Sequence, residues 1–109
     1  MKGKIIVEAI LRTQMDHLKD AEMMLDYADD MKEIGETALA NMFLGQAKTR
    51  IAAAADCDHV LETYKQRLVD EAKHNNAPFS MDEHNGYAIA YKKYTADTMN
   101  CLKRRYDTY

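Results

Sequence analysis

The chain has 109 residues, 18 acidic and 15 basic side chains, and a net charge of −3. That length builds a single domain over residues 1–109, and so mild a charge excludes the bulk attraction that draws a basic domain to nucleic acid. One Pro, four Gly and sparse β-branched residues argue against a sheet, and two Cys are too few for a disulfide framework.

A reducing compartment, the cytoplasm, is therefore expected. No stretch approaches the roughly 20 apolar residues of a membrane span, so no membrane contact is expected. Lys2 to Leu11 combines two lysines with a short apolar run, but it lacks the long apolar core and small-residue cleavage site of a signal peptide.

The first helix is predicted over about 4–32. Val7, Leu11, Gln14, Leu18, Ala21, Leu25 and Ala28 alternate spacings of four and three, which makes a continuous heptad seam. Ile10, His17, Met24 and Met31 lie beside it, so the buried face is broad, as in a bundle helix. The outward side is acidic: Asp16, Asp20, Glu22, Asp26, Asp29, Asp30, Glu33 and Glu36 face only Lys19 and Lys32. Acids at the carboxyl end of a helix oppose its dipole, so the helix is expected to stop near Met31 with Gly35 in the turn.

The second helix is predicted over 37–75. Ala, Leu, Lys, Arg, Gln and Glu dominate, and Gly45 is the only glycine between Leu39 and Ala72. Phe43, Ala47, Ile51, Ala54, Cys57, Leu61, Tyr64, Leu68 and Ala72 form its apolar stripe, and Ala52 to Ala55 is small enough for close helix approach. Lys73 and His74 suit the carboxyl end. Asn75 and Asn76 are candidates for a left-handed cap, and Pro78 forbids continuation.

The third helix is predicted over 81–106. Ser80 and Glu83 have capping-box spacing, with Phe79 as a hydrophobic staple. Tyr87, Tyr91, Tyr94, Thr98 and Cys101 make one stripe; Ala88, Thr95, Met99 and Leu102 make its neighbour. Short connections predict an all-α, antiparallel three-helix bundle with two long helices. Folding back near Gly35 brings Leu18 to Ile51 and Leu25 to Leu44. Folding back near residue 79 brings Cys57 to Cys101, Tyr64 to Tyr94 and Leu68 to Ala90.

Chemistry-bearing patterns are few. His59 and Glu62 are one turn apart, and the register sets Glu8 and Asp97 at a similar level, but His59 and Glu62 lie off the apolar stripe, where a solvated face is the ordinary meaning. The cysteines have no C-x-x-C spacing and no cationic helix start to activate a thiol. Ser80 is the single serine and reads as a cap, and there is no Gly-rich phosphate loop. Lys93, Lys103, Arg104 and Arg105 interleave with tyrosines on the third helix, a weak nucleic-acid pattern that a core of tyrosines and a dipole-matched helix end explain as well.

The run from Tyr27 to Tyr64, through YADDMKEIGETALANMFLGQAKTRIAAAAD, resembles the helical hairpin of small ferritin-like proteins, including short ones common in phage and prophage genomes. The SMDEH segment with the tyrosines after it is similar to their third helix. The resemblance implies an antiparallel bundle, often dimerised. Its metal ligands do not carry over: Arg50 and Ala53 stand where the pattern places Glu and His, and neither binds iron.

The reading this supports is a non-catalytic interaction protein without cofactor or metal, phage-derived, that binds a protein partner. One concrete form is an inhibitor of a host nucleic-acid-processing or defence enzyme. Its candidate contact residues are Asp16, Asp20, Glu22, Asp26, Asp29 and Asp30, whose carboxylates imitate phosphate spacing. A thin core also predicts apolar surface on the second or third helix that a homodimer or a partner buries. The alternatives are a ferritin-like metal-binding protein or oxidase using Glu8, His59, Glu62 and Asp97, and a structural or virion assembly component.

Overall fold

The computed structural model describes residues 2–75 and 82–109, with side chains described at 5–67, 69–71, 73–75 and 94–109. Three helices make up nearly all of it: α1 over Lys2–Glu33, α2 over Thr37–His74 and α3 over Asp82–Asp107. No strand occurs among the described residues. The molecule is a rod of 63 × 20 × 19 Å. The 38 residues of α2 set that length, since a helix rises about 1.5 Å per residue.

Every position of the α1 heptad seam is buried, from Val7 to Ala28. On α2 the stripe is buried at Ala47, Ile51, Ala54 and Leu61, and Phe43, Cys57 and Tyr64 are half-buried. Late α1 meets early α2, where the Tyr27 and Phe43 rings lie 5.3 Å apart. The middle of α1 meets the middle of α2, where the Gln14 side-chain amide donates to the Ala54 carbonyl at 2.9 Å. Early α1 meets late α2: Val7, Leu11 and Leu61 form one cluster with Ile10 and Tyr64 against it. Leu18, Leu25 and Ile51 share the larger cluster, with Leu44 packed on it. Each fully buried leucine contributes about 1.5–3 kcal/mol of apolar transfer free energy.

The α1–α2 turn closes on backbone bonds: the Glu36 amide donates to Met31 at 2.8 Å and the Gly35 amide to Lys32 at 3.1 Å. Gly35 has φ of +82°, a left-handed conformation that side chains disfavour and glycine adopts freely. Helix α1 thus runs two residues past the expected stop at Met31. Of the two candidates for the left-handed cap of α2, only Asn75 is described. Asn75 has φ of −89°, not a left-handed value, and its amide donates to Glu71 and Lys73 carbonyls, so a tightened last turn satisfies them.

Helix α3 packs through Thr95, Met99 and Leu102, all buried. Of the two neighbouring stripes read from the sequence, this one faces the core. Tyr94, on the other, is 56% exposed, and Cys101 is exposed as well. The Ser80–Glu83 capping box, the Phe79 staple, Asn76, Pro78, the side chains of Tyr87 and Tyr91, and the Leu68–Ala90 pairing lie outside the described residues or side chains.

Candidate functional site

The acidic side of α1 is two rows rather than one face. At about 100° per residue, Glu22, Asp26 and Asp29 flank one side of the seam, while Asp16 and Asp30 point away from the core. Asp20 is half-buried and lies toward the opposite flank. Helix α3 lies on the first flank. One terminal nitrogen of Arg105 donates to Asp26 at 2.5 Å and to Asp29 at 2.6 Å. Both carboxylates are at least half exposed, and Arg105 is about one-third exposed. The Asp29 and Asp26 hydrogen bonds push the Arg105 pKa up, which keeps its charge fixed.

Two of the six candidate acids are therefore already engaged within the chain. The basic end of α3 thus pairs with α1 of the same chain through Arg105. A partner reading Asp26 or Asp29 has Arg105 as a competitor. Asp16, Glu22 and Asp30 are exposed and, like Asp20, make no ion pair or side-chain hydrogen bond with a described residue. Tyr109 strengthens the same junction. Its hydroxyl donates to the Leu25 carbonyl at 3.4 Å, and Lys32 sits 5.1 Å from its ring centre.

Gln14, read from the sequence only as a seam position, is one of two buried polar side chains among the described residues. Its amide nitrogen donates both to the Ala54 carbonyl and to the Asp58 carboxylate, the latter at 3.0 Å. A polar residue at a seam position was the available signal, since such a residue requires a partner when buried.

His59 and Glu62 line an open concavity on late α2 together with Gln66, Asp70 and His74. Glu62 approaches Lys65 at 3.8 Å. Glu8 is half-buried on α1 and Asp97 exposed on α3. Among the described residues no three His, Cys, Asp or Glu side chains converge as a metal site requires, so the set Glu8, His59, Glu62 and Asp97 is not brought together. His17 is half-buried beside the seam.

Cys57 and Cys101 are free thiols. Partial burial, then the charges of Asp58 and Asp56, push the Cys57 pKa up, which opposes nucleophilic or redox activation. A second groove, about 470 Å³, lies between α2 and α3, lined by Lys48, Ile51, Ala52, Ala55, Lys103, Tyr106 and Asp107. Among the described residues no helix is long and apolar enough to cross a membrane.

No family model, curated protein or solved structure matches the chain significantly.

Proposed function

We propose that this chain is a non-catalytic interaction protein, an antiparallel three-helix bundle that acts in the cytoplasm by binding a protein partner. The observation that carries the reading is the set of exposed acids on α1 that no described residue pairs. Asp16 and Asp30 point away from the core and Glu22 lies on the α3 flank, all three exposed and unpaired with any described residue, whereas Asp26 and Asp29 are held by Arg105. Exposed carboxylates on a rigid helix present fixed negative charge, which suits a basic groove and steers association. A nucleic-acid-processing or defence enzyme has such a groove, so inhibition by occupying it is the concrete form of the proposal. The late-α1-to-early-α2 and early-α1-to-late-α2 contacts support the antiparallel arrangement. The resemblance to short ferritin-like chains supports a phage origin, and it supports no iron chemistry, because Arg50 and Ala53 replace the ligands.

The test is a pull-down from host lysate with wild type and with a triple variant, Asp16→Lys, Glu22→Lys and Asp30→Lys, which spares Asp26, Asp29 and their clamp. The expected outcome is a partner that wild type retains at low salt, that high salt elutes, and that the variant fails to hold. Equal retention of the same partner by the variant defeats the acidic-row reading.

A further inference from the structure

Among the described residues, helix α3 packs on one flank of the α1–α2 hairpin and leaves the other open. Around α1, Asp26 and Asp29 meet α3, while Met24, Tyr27 and Met31 project about 100° or more to the other side of the seam. Around α2, Lys48, Ile51, Ala52 and Ala55 border α3, and Leu39, Met42, Phe43, Arg50, Ala53, Cys57 and Val60 lie on the opposite flank. That flank is apolar near the turn and again from Ala53 to Val60, with His17 and Asp20 on α1 and Gln46 and Arg50 on α2 between, and Met42 is 48% and Val60 51% exposed. Exposed apolar groups gathered on one flank mark an interaction surface.

Its charges are self-complementary. Arg50 interrupts the strip from α2, and the Gln14–Ala54 and Tyr27–Phe43 contacts set it at the height of Asp20 on α1, within one turn. Arg50 is exposed, Asp20 is half-buried, and neither pairs with a described residue. When two hairpins pack face to face about a two-fold axis along the rod, α1 of each opposes α2 of the other with heights preserved. Arg50 then meets Asp20 of the partner subunit, twice by symmetry, and Met42 near the turn meets Tyr27 of the partner subunit. A two-fold axis across the rod sets α1 on α1, acid against acid, and is disfavoured. A face along most of the 63 Å length and about 20 Å wide offers on the order of 1,000 Å², above the roughly 800 Å² per partner of a standard interface.

We propose that a second copy of this chain docks on the α1–α2 flank away from α3, with Arg50 facing Asp20 of the partner subunit across an apolar strip centred on Tyr27 and Met42. Asp16, Glu22 and Asp30 lie off this interface, so the dimer does not depend on the partner-binding reading.

Sedimentation equilibrium of the full chain tests the proposal. Wild type is expected to be a dimer at micromolar concentration. Arg50→Asp and Asp20→Arg, each alone, are expected to weaken the dimer roughly tenfold or more, and the double variant, which restores opposite charges with the signs exchanged, to recover most of that loss. Met42→Lys is expected to give a monomer with unchanged helical circular dichroism, and Lys48→Glu on the α3 side to leave the dimer intact. A monomeric wild type, a dimer indifferent to Met42→Lys, or a double variant no better than the two singles each overturns it.

Discussion

Near the α1–α2 turn, Leu18, Ala21, Leu25, Ala47, Ile51 and Ala54 are sealed by Met99 and Leu102, so three helices share one core. Toward the other end, Val7, Leu11 and Leu61 close a smaller cluster drawn, among the described residues, from α1 and α2 alone. The turn end is also fastened at its surface by Arg105 on Asp26 and Asp29 and by Tyr109 on Leu25. Gln14 stands between the two clusters and ties α1 to α2 by a polar bond. A heptad seam that looks uniform in sequence thus carries, among the described residues, a larger three-helix cluster near the turn and a smaller two-helix cluster beyond Gln14.

The largest expected effect contrasts the two cores. Leu25→Ala, at the three-helix end, should cost about 3–5 kcal/mol, and Leu11→Ala at the other end about 2–3 kcal/mol, since its cluster among the described residues is the smaller. Urea unfolding with a shared m-value measures both. Equal losses erase the contrast, and a larger loss at Leu11 reverses it.

Next comes the residue that divides them. Gln14→Ala removes the donor to Ala54 and Asp58 and leaves a void, for roughly 2 kcal/mol. Gln14→Leu fills the void. The Ala54 carbonyl keeps its bond within α2 and water reaches the half-exposed Asp58, so stability should return to within about 1 kcal/mol of wild type. If Gln14→Leu is as damaging as Gln14→Ala, the amide contributes net stability, not mainly register.

What the sequence made legible follows the same division. The α1 seam, the Gly35 turn and the α2 stripe are periodic and were readable because burial repeats at the helical period. The α3 stripe was ambiguous. Tyr94 and Thr95 are adjacent, and tyrosine is the larger apolar group, but rotation of α3 on the hairpin decides which points inward, and it buries Thr95. Of Lys103, Arg104 and Arg105, composition singles out none. Only the position of α3 beside α1 selects Arg105 for Asp26 and Asp29. The acidic residues were visible as a cluster, whereas their division into a clamped and an unclamped row depends on which flank α3 occupies.

The clamp itself is worth less than either core. Asp26 and Asp29 are 59% and 50% exposed, so water and salt screen the pair, and Arg105→Ala should cost only about 0.5–1 kcal/mol at low salt. The loss should shrink as ionic strength rises, since the Debye length falls to about 3 Å at 1 M. A salt-independent loss would assign the effect to the arginine stem packing on α1 instead of its charge.

The smallest effect separates the two thiols. Cys101 is exposed, and Cys57 is half-buried with its pKa pushed above the ordinary 9.0 by burial and by Asp58 and Asp56. Thiolate is the reacting form, so iodoacetamide at mildly alkaline pH should label Cys101 well before Cys57, and denaturant should abolish the difference. The same shift has a stability sign. The folded thiol holds its proton past the pH at which an unfolded cysteine releases it, so its contribution is fully present below 9.0 and is lost as pH rises through the raised folded value. Cys57→Ala removes that dependence, and the difference between the wild-type and variant pH–stability curves isolates it. A difference curve that is flat through pH 9 and above would mean that partial burial and the charges of Asp58 and Asp56 together are too weak to hold the proton on Cys57.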